Sequence, residues 1–236
     1  MARNFFTLAG TDSRDFGVYI NGQGTFNAPS RSYDFISIPG RNGDLIGTEK
    51  RLNNVELTYH AFIYNNFEQN IEDFRSFLLS LIGYQRLTDS YHADEFRMVA
   101  YEGPFEADVV AMNNAGEFDV TFNCKPQRFL TSGEQVTTLT ASGSITNPTR
   151  FNSQPLLRVY GAGVLGIGSQ SITILSADAY TDIDCEMMDA YKGTASRNAY
   201  IQLSDYNFPT FAPGTNNISL GSGITRVEIT PRWFVV

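Results

Sequence analysis

The stretch that most limits what this chain can become runs from Phe122 to Gly161, FNCKPQRFLTSGEQVTTLTASGSITNPTRFNSQPLLRVYG. It opens like a strand and meets Pro126, then passes through Ser-, Thr- and Gly-rich sequence. Two more prolines, Pro148 and Pro155, precede the apolar run that begins at Leu156. Proline fixes φ and lacks the amide that a central strand donates, so a strand stop is expected at Pro126. The one long helical signal lies before this stretch, and everything after it reads as strands and turns. The stretch is therefore taken as a seam between two domains, residues 1–130 and 131–236. The Thr-rich middle, Val136 to Thr140, has strand character, which favours a seam strapped onto one domain over a loose tether.

Before the seam, short apolar runs occur at Phe5 to Leu8 and Gly17 to Ile20, separated by the turn cluster Gly10-Thr11-Asp12-Ser13. Tyr33 and Phe35 alternate with Asp34 and Ile36. The segment IPGRNGDL (Ile38 to Leu45) then offers two turn signals in succession, Pro39-Gly40 and Asn42-Gly43. Asn-Gly suits a turn with two positive φ values, and the loop is expected to project from the sheet. From Val55 to Ile63, apolar residues alternate with mixed ones, the period of a half-buried strand.

The clearest helix follows. Asn65 and Glu68 stand at capping-box spacing, and Phe67, Ile71, Phe74, Phe77, Leu78, Leu81 and Ile82 recur at intervals of three and four, with Gly83 as the stop. Such a stripe predicts a helix laid on a sheet. Strands are then expected at Tyr84 to Thr88, Glu95 to Tyr101, Phe105 to Ala111 and Gly116 to Cys124, with turns between them that include Asn113-Asn114. The first domain thus reads as α+β, with one helix packed on β-sheet.

After the seam, strands are expected at Leu156 to Tyr160, Ser171 to Leu175, Asp182 to Met188, Ala199 to Leu203, Ile218 to Leu220 and Ile224 to Trp233. Short strands punctuated by Gly and Pro, without a helical period, predict a small β-sandwich. The fold class is mainly β.

Charge and composition exclude several functions. The formal net charge of −8 leaves no Lys/Arg cluster dense enough for a phosphate-binding face, so stable nucleic-acid binding is not expected. The two cysteines, Cys124 and Cys185, form neither a disulfide framework nor a metal site, and both are expected as buried thiols. No apolar run near the start is long enough for a signal peptide or a membrane span, so synthesis in a reducing cytoplasm is expected.

His60 and His92 are the only histidines, too few for a tetrahedral metal site, and no G-x-S-x-G elbow marks a nucleophile. GAGVLGIG (Gly161 to Gly168) has the glycines of a phosphate cradle but neither the Lys-Ser/Thr ending nor a following helix, and reads as a hairpin connection. Asp182, Asp184 and Glu186 alternate with Ile183, Cys185 and Met187, which predicts a solvated acidic strand face. Trp233, beside Arg232 and with Tyr191, is read as core in preference to a sugar-stacking platform. No catalytic residue, cofactor site or metal site emerges. What remains is a two-domain, mostly β protein that works by contact with other proteins.

Taken in order, GVYI, IPGRNGDL, VELTYHAFI, the helix through FLLSLIG, RLTDSYHADEFRMVAYEG and GEFDVTFNCKPQRFLTSGE resemble the distal tail protein (Dit) family of long-tailed, non-contractile bacteriophages. After the seam, NPT, PLLRVYG, IDCEMMDAYKG, the FPTFAPGTN run and ITPRWF continue the resemblance. It implies a hexameric ring built from the first domain, with the second as a peripheral galectin-like β-sandwich. In this family the ring is a hub between tail tube and host-recognition device, and DNA crosses its lumen without stable binding. The implied partners are the tail tube protein, the tape measure protein, a tail-associated hub protein and a receptor-binding protein. The location implied is the distal end of the tail in the virion, with no membrane. Arg41, Asn42, Gly43 and Asp44 are the candidate subunit or tail-tube contacts. A carbohydrate-binding module is the competing expectation, and a cell-wall glycosidase a weaker one. No stretch is long enough for the carbohydrate-binding insertions of longer members, which argues against direct host binding.

Overall fold

The computed structural model describes residues 3–22, 26–110 and 114–236, apart from the side chains of residues 48–50 and 110. Of the expected features, Ala111 and Asn113 lie outside the described residues. The chain divides into two compact units, residues 1–128 with Val236, and residues 129–235.

The first unit contains β1 (Phe6–Leu8), β2 (Thr11–Asp12), β3 (Val18–Ile20), β4 (Arg31–Ile36), β5 (Leu45–Leu52) and β6 (Val55–Ile63). Helix α1 (Phe67–Ser80), β7 (Gln85–Asp89), β8 (Glu95–Tyr101), β9 (Ala107–Val110) and β10 (Ala115–Leu130), whose last two residues fall in the second unit, complete it. Its main sheet runs β2-β1-β7-β8-β10-β6-β3, with β9 also paired to β10. The alternation in β6 is realised fully: Val55, Leu57, Tyr59, Ala61 and Ile63 are all buried. Opposite them Phe118, Val120, Phe122 and Cys124 of β10 face the same core, because β6 and β10 pair from Gly116↔Ile63 to Cys124↔Val55. α1 covers this face with Phe67, Phe74 and Leu78. Its Phe74 ring lies 5.8 Å from Phe118 and 6.2 Å from Phe6, while Phe6 stacks on Tyr59 at 5.5 Å. Aromatic pairs at these separations add specific geometry to area burial.

Three expectations for this unit are corrected. β10 does not stop at Pro126 but continues to Leu130. Its register with β6 ends at Cys124, so the missing proline amide falls beyond the last ladder position on that side. The helix cap is Asn66 in a left-handed conformation with no side-chain cap bond, so the Asn65–Glu68 capping box does not form. The first turn is closed by the Asn70 backbone N–H donating to the Asn66 carbonyl, and the Asn70 side-chain amide donates to the Asn65 carbonyl, each at 3.0 Å. The helix ends at Ser80, which leaves Ile82 outside it and exposed.

The second unit is a sandwich of two antiparallel sheets. It contains β11 (Thr137–Leu139), β12 (Gly143–Asn147), β13 (Leu156–Gly161), β14 (Gly163–Ile167), β15 (Gln170–Ile174) and β16 (Thr181–Asp184). β17 (Asp189–Lys192), β18 (Ala195–Ser196), β19 (Ile201–Leu203), β20 (Gly214–Leu220), β21 (Ile224–Thr230) and β22 (Phe234–Val235) follow. One sheet runs β11-β21-β13-β16-β17-β18 and the other β12-β20-β14-β15-β19. Leu157, Val159, Ile183, Val227 and Ile229 meet Leu165, Ile167, Ile172, Ile174 and Ile218 in a shared core. The expected Thr-rich strand is β11, paired to β21 from Thr137↔Ile229 to Leu139↔Val227, so this part of the seam is strapped to the sandwich.

GAGVLGIG is not a loose connection. Its middle is β14, an interior strand between β20 and β15. Gly161 at φ 98° and Gly163 at φ 152° make the turn into it, values that a side chain resists. Asp182 and Asp184 do not form a solvated face either: they are 5% and 3% exposed, and β16 ends at Asp184, with a turn where strand was expected to run on to Met188. Trp233 is core, as expected.

Candidate functional site

β4 and β5 form a two-stranded hairpin of their own, hydrogen-bonded to no other sheet among the described residues. The register runs Arg31↔Leu52, Tyr33↔Thr48, Asp34↔Gly47, Phe35↔Ile46 and Ile36↔Leu45, with a bulge between Arg31 and Tyr33. A hairpin that buries no face on a third element is marginal in water. This one also carries exposed apolar side chains: Phe35 is 64% exposed, Ile46 57% and Ile36 51%, with Tyr33, Ile38 and Leu45 less so. Tyr33, Phe35 and Ile46 lie on one face of the hairpin and Ile36 and Leu45 on the other, so the Tyr33–Phe35–Ile46 face is the apolar patch left open to solvent.

Arg41, Asn42, Gly43 and Asp44 sit at the exposed tip between the two strands. The tip turns through Gly40 at φ 80° and Gly43 at φ 81°, while Arg41 donates its backbone N–H to the Ile38 carbonyl at 3.1 Å. Asn42 does not share the positive φ of Gly43, so the tip is not the paired-positive turn that Asn-Gly suggested. Space around both glycines is open, and only their backbone angle restricts substitution there. Turn residues marked this loop and alternation marked β4, but nothing in the sequence analysis marked β5 as the other half of the stem. The signal was present in Leu45 and Ile46, which mirror Phe35 and Ile36 across the two turns.

Elsewhere the histidines and the buried aspartates are engaged with neighbouring side chains. His60 pairs with Asp119, and His92 Nδ1 lies 3.2 Å from Asp89 Oδ1. The Tyr59 hydroxyl donates to Asp89 Oδ2 at 2.6 Å; burial first, then the Asp89 charge, raises its pKa well above the ordinary value. Among the described residues no group of three or more His, Cys, Asp or Glu could hold a metal. In the second unit Arg158 forks onto Asp182 at 2.7 and 3.0 Å, and Arg232 onto Asp184 at 2.7 and 2.8 Å. These are bidentate structural pairs. With Trp233 buried and Arg232 turned to Asp184, the alternative sugar platform is not assembled.

Residues 11–124 match the family model described as phage tail protein RIFT-related domain. Residues 11–124 form a phage tail domain, and the whole chain has the distal-tail fold. That fold is set by a solved structure covering 100% of both chains at a TM-score of 0.78 and 16% identity. It is the Dit protein of phage SPP1, described as a paradigm of the hub adsorption apparatus in phages infecting Gram-positive bacteria. No curated protein matches the chain by sequence. The β4–β5 hairpin therefore belongs to the phage tail domain, whose match spans it entirely.

Proposed function

We propose that this tail protein is the hub subunit of the tail tip, closing into a homohexameric ring that joins the tail tube to the host-adsorption apparatus. The observation that carries this is the β4–β5 hairpin, a marginal element with apolar side chains exposed. A heterologous contact made by the same element on every copy closes into a ring when the rotation permits, and closure covers each copy's surface on the next. Arg41, Asn42, Gly43 and Asp44, at the tip, are contacts to a neighbouring subunit or to the tail tube protein. The further partners are the tape measure protein, a tail-associated hub protein and a receptor-binding protein. The role is assembly and positioning without catalysis, and assembly takes place in the host cytoplasm. A net charge of −8 suits a conduit through which DNA passes without being held.

Native mass spectrometry of the full chain tests this reading. Six times the 26.3 kDa subunit is expected, with closed rings in negative stain. A clean monomer over a wide range of concentration overturns it.

A further inference from the structure

The lead-in to the second unit, residues 129–134, is closed over by residues 231–235. Leu130 donates its backbone N–H to the Trp233 carbonyl, and Arg232 donates its own to the Gly133 carbonyl, each at 2.8 Å. Gly133 is packed so tightly there that a Cβ on it would collide with the Trp233 backbone nitrogen. Trp233 is buried against Phe211, and the Phe234 ring stacks on Phe151 at 5.6 Å while meeting the edge of Phe129 at 6.2 Å.

Between these apolar anchors stands Arg232 with φ 55°, a left-handed conformation that glycine adopts freely and arginine does not. A residue persists in such a conformation when its surroundings over-determine it. Here the guanidinium fork is held by both oxygens of Asp184, whose side chain is 4% exposed. Asp184 Oδ1 also accepts the backbone N–H groups of Glu186 at 3.0 Å and Met187 at 3.1 Å. One carboxylate thus ties the turn after β16 to the segment that covers the lead-in.

We infer that residues 231–235 are a clasp, locked by Arg232 on Asp184, that holds the lead-in against the sandwich. With the lock removed, residues 129–134 separate from the second unit while both of its sheets stay folded. The ring reading is judged by subunit mass and the clasp by local exchange, so either can fail alone.

Residue-resolved amide hydrogen exchange on the full chain is the test, comparing the wild type with Arg232→Gly/Asp184→Asn. Glycine keeps the backbone conformation, and the asparagine avoids leaving a buried charge unpaired. Exchange at Leu130 and at position 232 is expected to rise about tenfold or more, while Val159 and Ile172 in the two sheets stay within about twofold. Gly133→Ala, which pushes the two segments apart without touching the ion pair, is expected to release the same two amides. Unchanged exchange at Leu130 in both variants overturns the clasp. So does a rise there that Val159 and Ile172 follow in step, since the segment would then open only with the whole unit.

Discussion

Asp184 and Cys185 are neighbours whose surroundings push in different chemical directions. Burial alone would raise the Asp184 carboxyl, but the Arg232 hydrogen bonds, the Met187 N–H, the Arg232 charge and the Glu186 N–H together hold it below its ordinary value of 3.8. A carboxyl depressed in the folded state stabilises the fold above the unfolded pKa, and that contribution is lost as pH falls through the folded value. Acid titration of stability is therefore expected to show a loss below 3.8 that is shallower in Asp184→Asn, read from urea midpoints at successive pH values. Equal slopes for the two proteins would remove Asp184 from the account. Burial raises the Cys185 thiol to about 12, with the Asp184 charge adding to it, and burial raises Cys124 to about 11. Since the thiolate is the nucleophile, neither cysteine is expected to react with a disulfide reagent at neutral pH in the native state, and both should react in denaturant. The sequence announced the buried thiols but misplaced the aspartates. Their alternation looks the same whether the polar face meets water or arginine, and the arginines stand 24 and 48 residues away in the chain.

At the level of elements, periodicity was legible wherever one face meets a core and the other does not. β6 appears with its predicted bounds, and the helical stripe correctly named Phe67, Phe74 and Leu78. What failed was the reading of Pro126 and of the Gly161–Gly168 glycines as punctuation. Pro126 sits inside a strand because its neighbour β6 has already ended, and glycines flank and sit within an interior strand at β14. Both outcomes depend on which strand lies alongside, which local sequence does not encode. The helix supplies a contrast that urea unfolding can measure. Phe74→Ala should cost about 3–5 kcal/mol, since Phe74 is fully buried and touches rings from several elements. Ile82→Lys, two residues past the helix end at Ser80 and 89% exposed, should stay within about 0.5 kcal/mol. A large loss at Ile82 would mean that the stripe as read from sequence, and not the shorter helix, describes the packing.

For the whole molecule, the two units meet between Arg128 and Phe129, inside the Pro-, Ser- and Thr-rich stretch read as the seam, whereas assembly has no signature in a single chain. The IPGRNGDL loop drew attention through its turn residues, yet the argument for assembly rests on the stem, where Phe35 and Ile46 are a direct cross-strand pair. Both are mostly exposed, so charging them removes nothing from either core. In the hexameric reading, Phe35→Asp with Ile46→Asp is expected to lower the native mass to that of a monomer, because a desolvated contact cannot take two unpaired carboxylates. Thermal unfolding of the residual monomer and its circular dichroism should match those of wild-type protein held below its assembly concentration. Replacing Asn42 and Gly43 by valines should also impair assembly. That change is less clean, because valine at the φ 81° of Gly43 distorts the tip as well as altering its surface. A double-aspartate protein of wild-type mass would place the subunit contact away from the hairpin stem, and β2, the terminal strand of the main sheet, would be the next surface to charge.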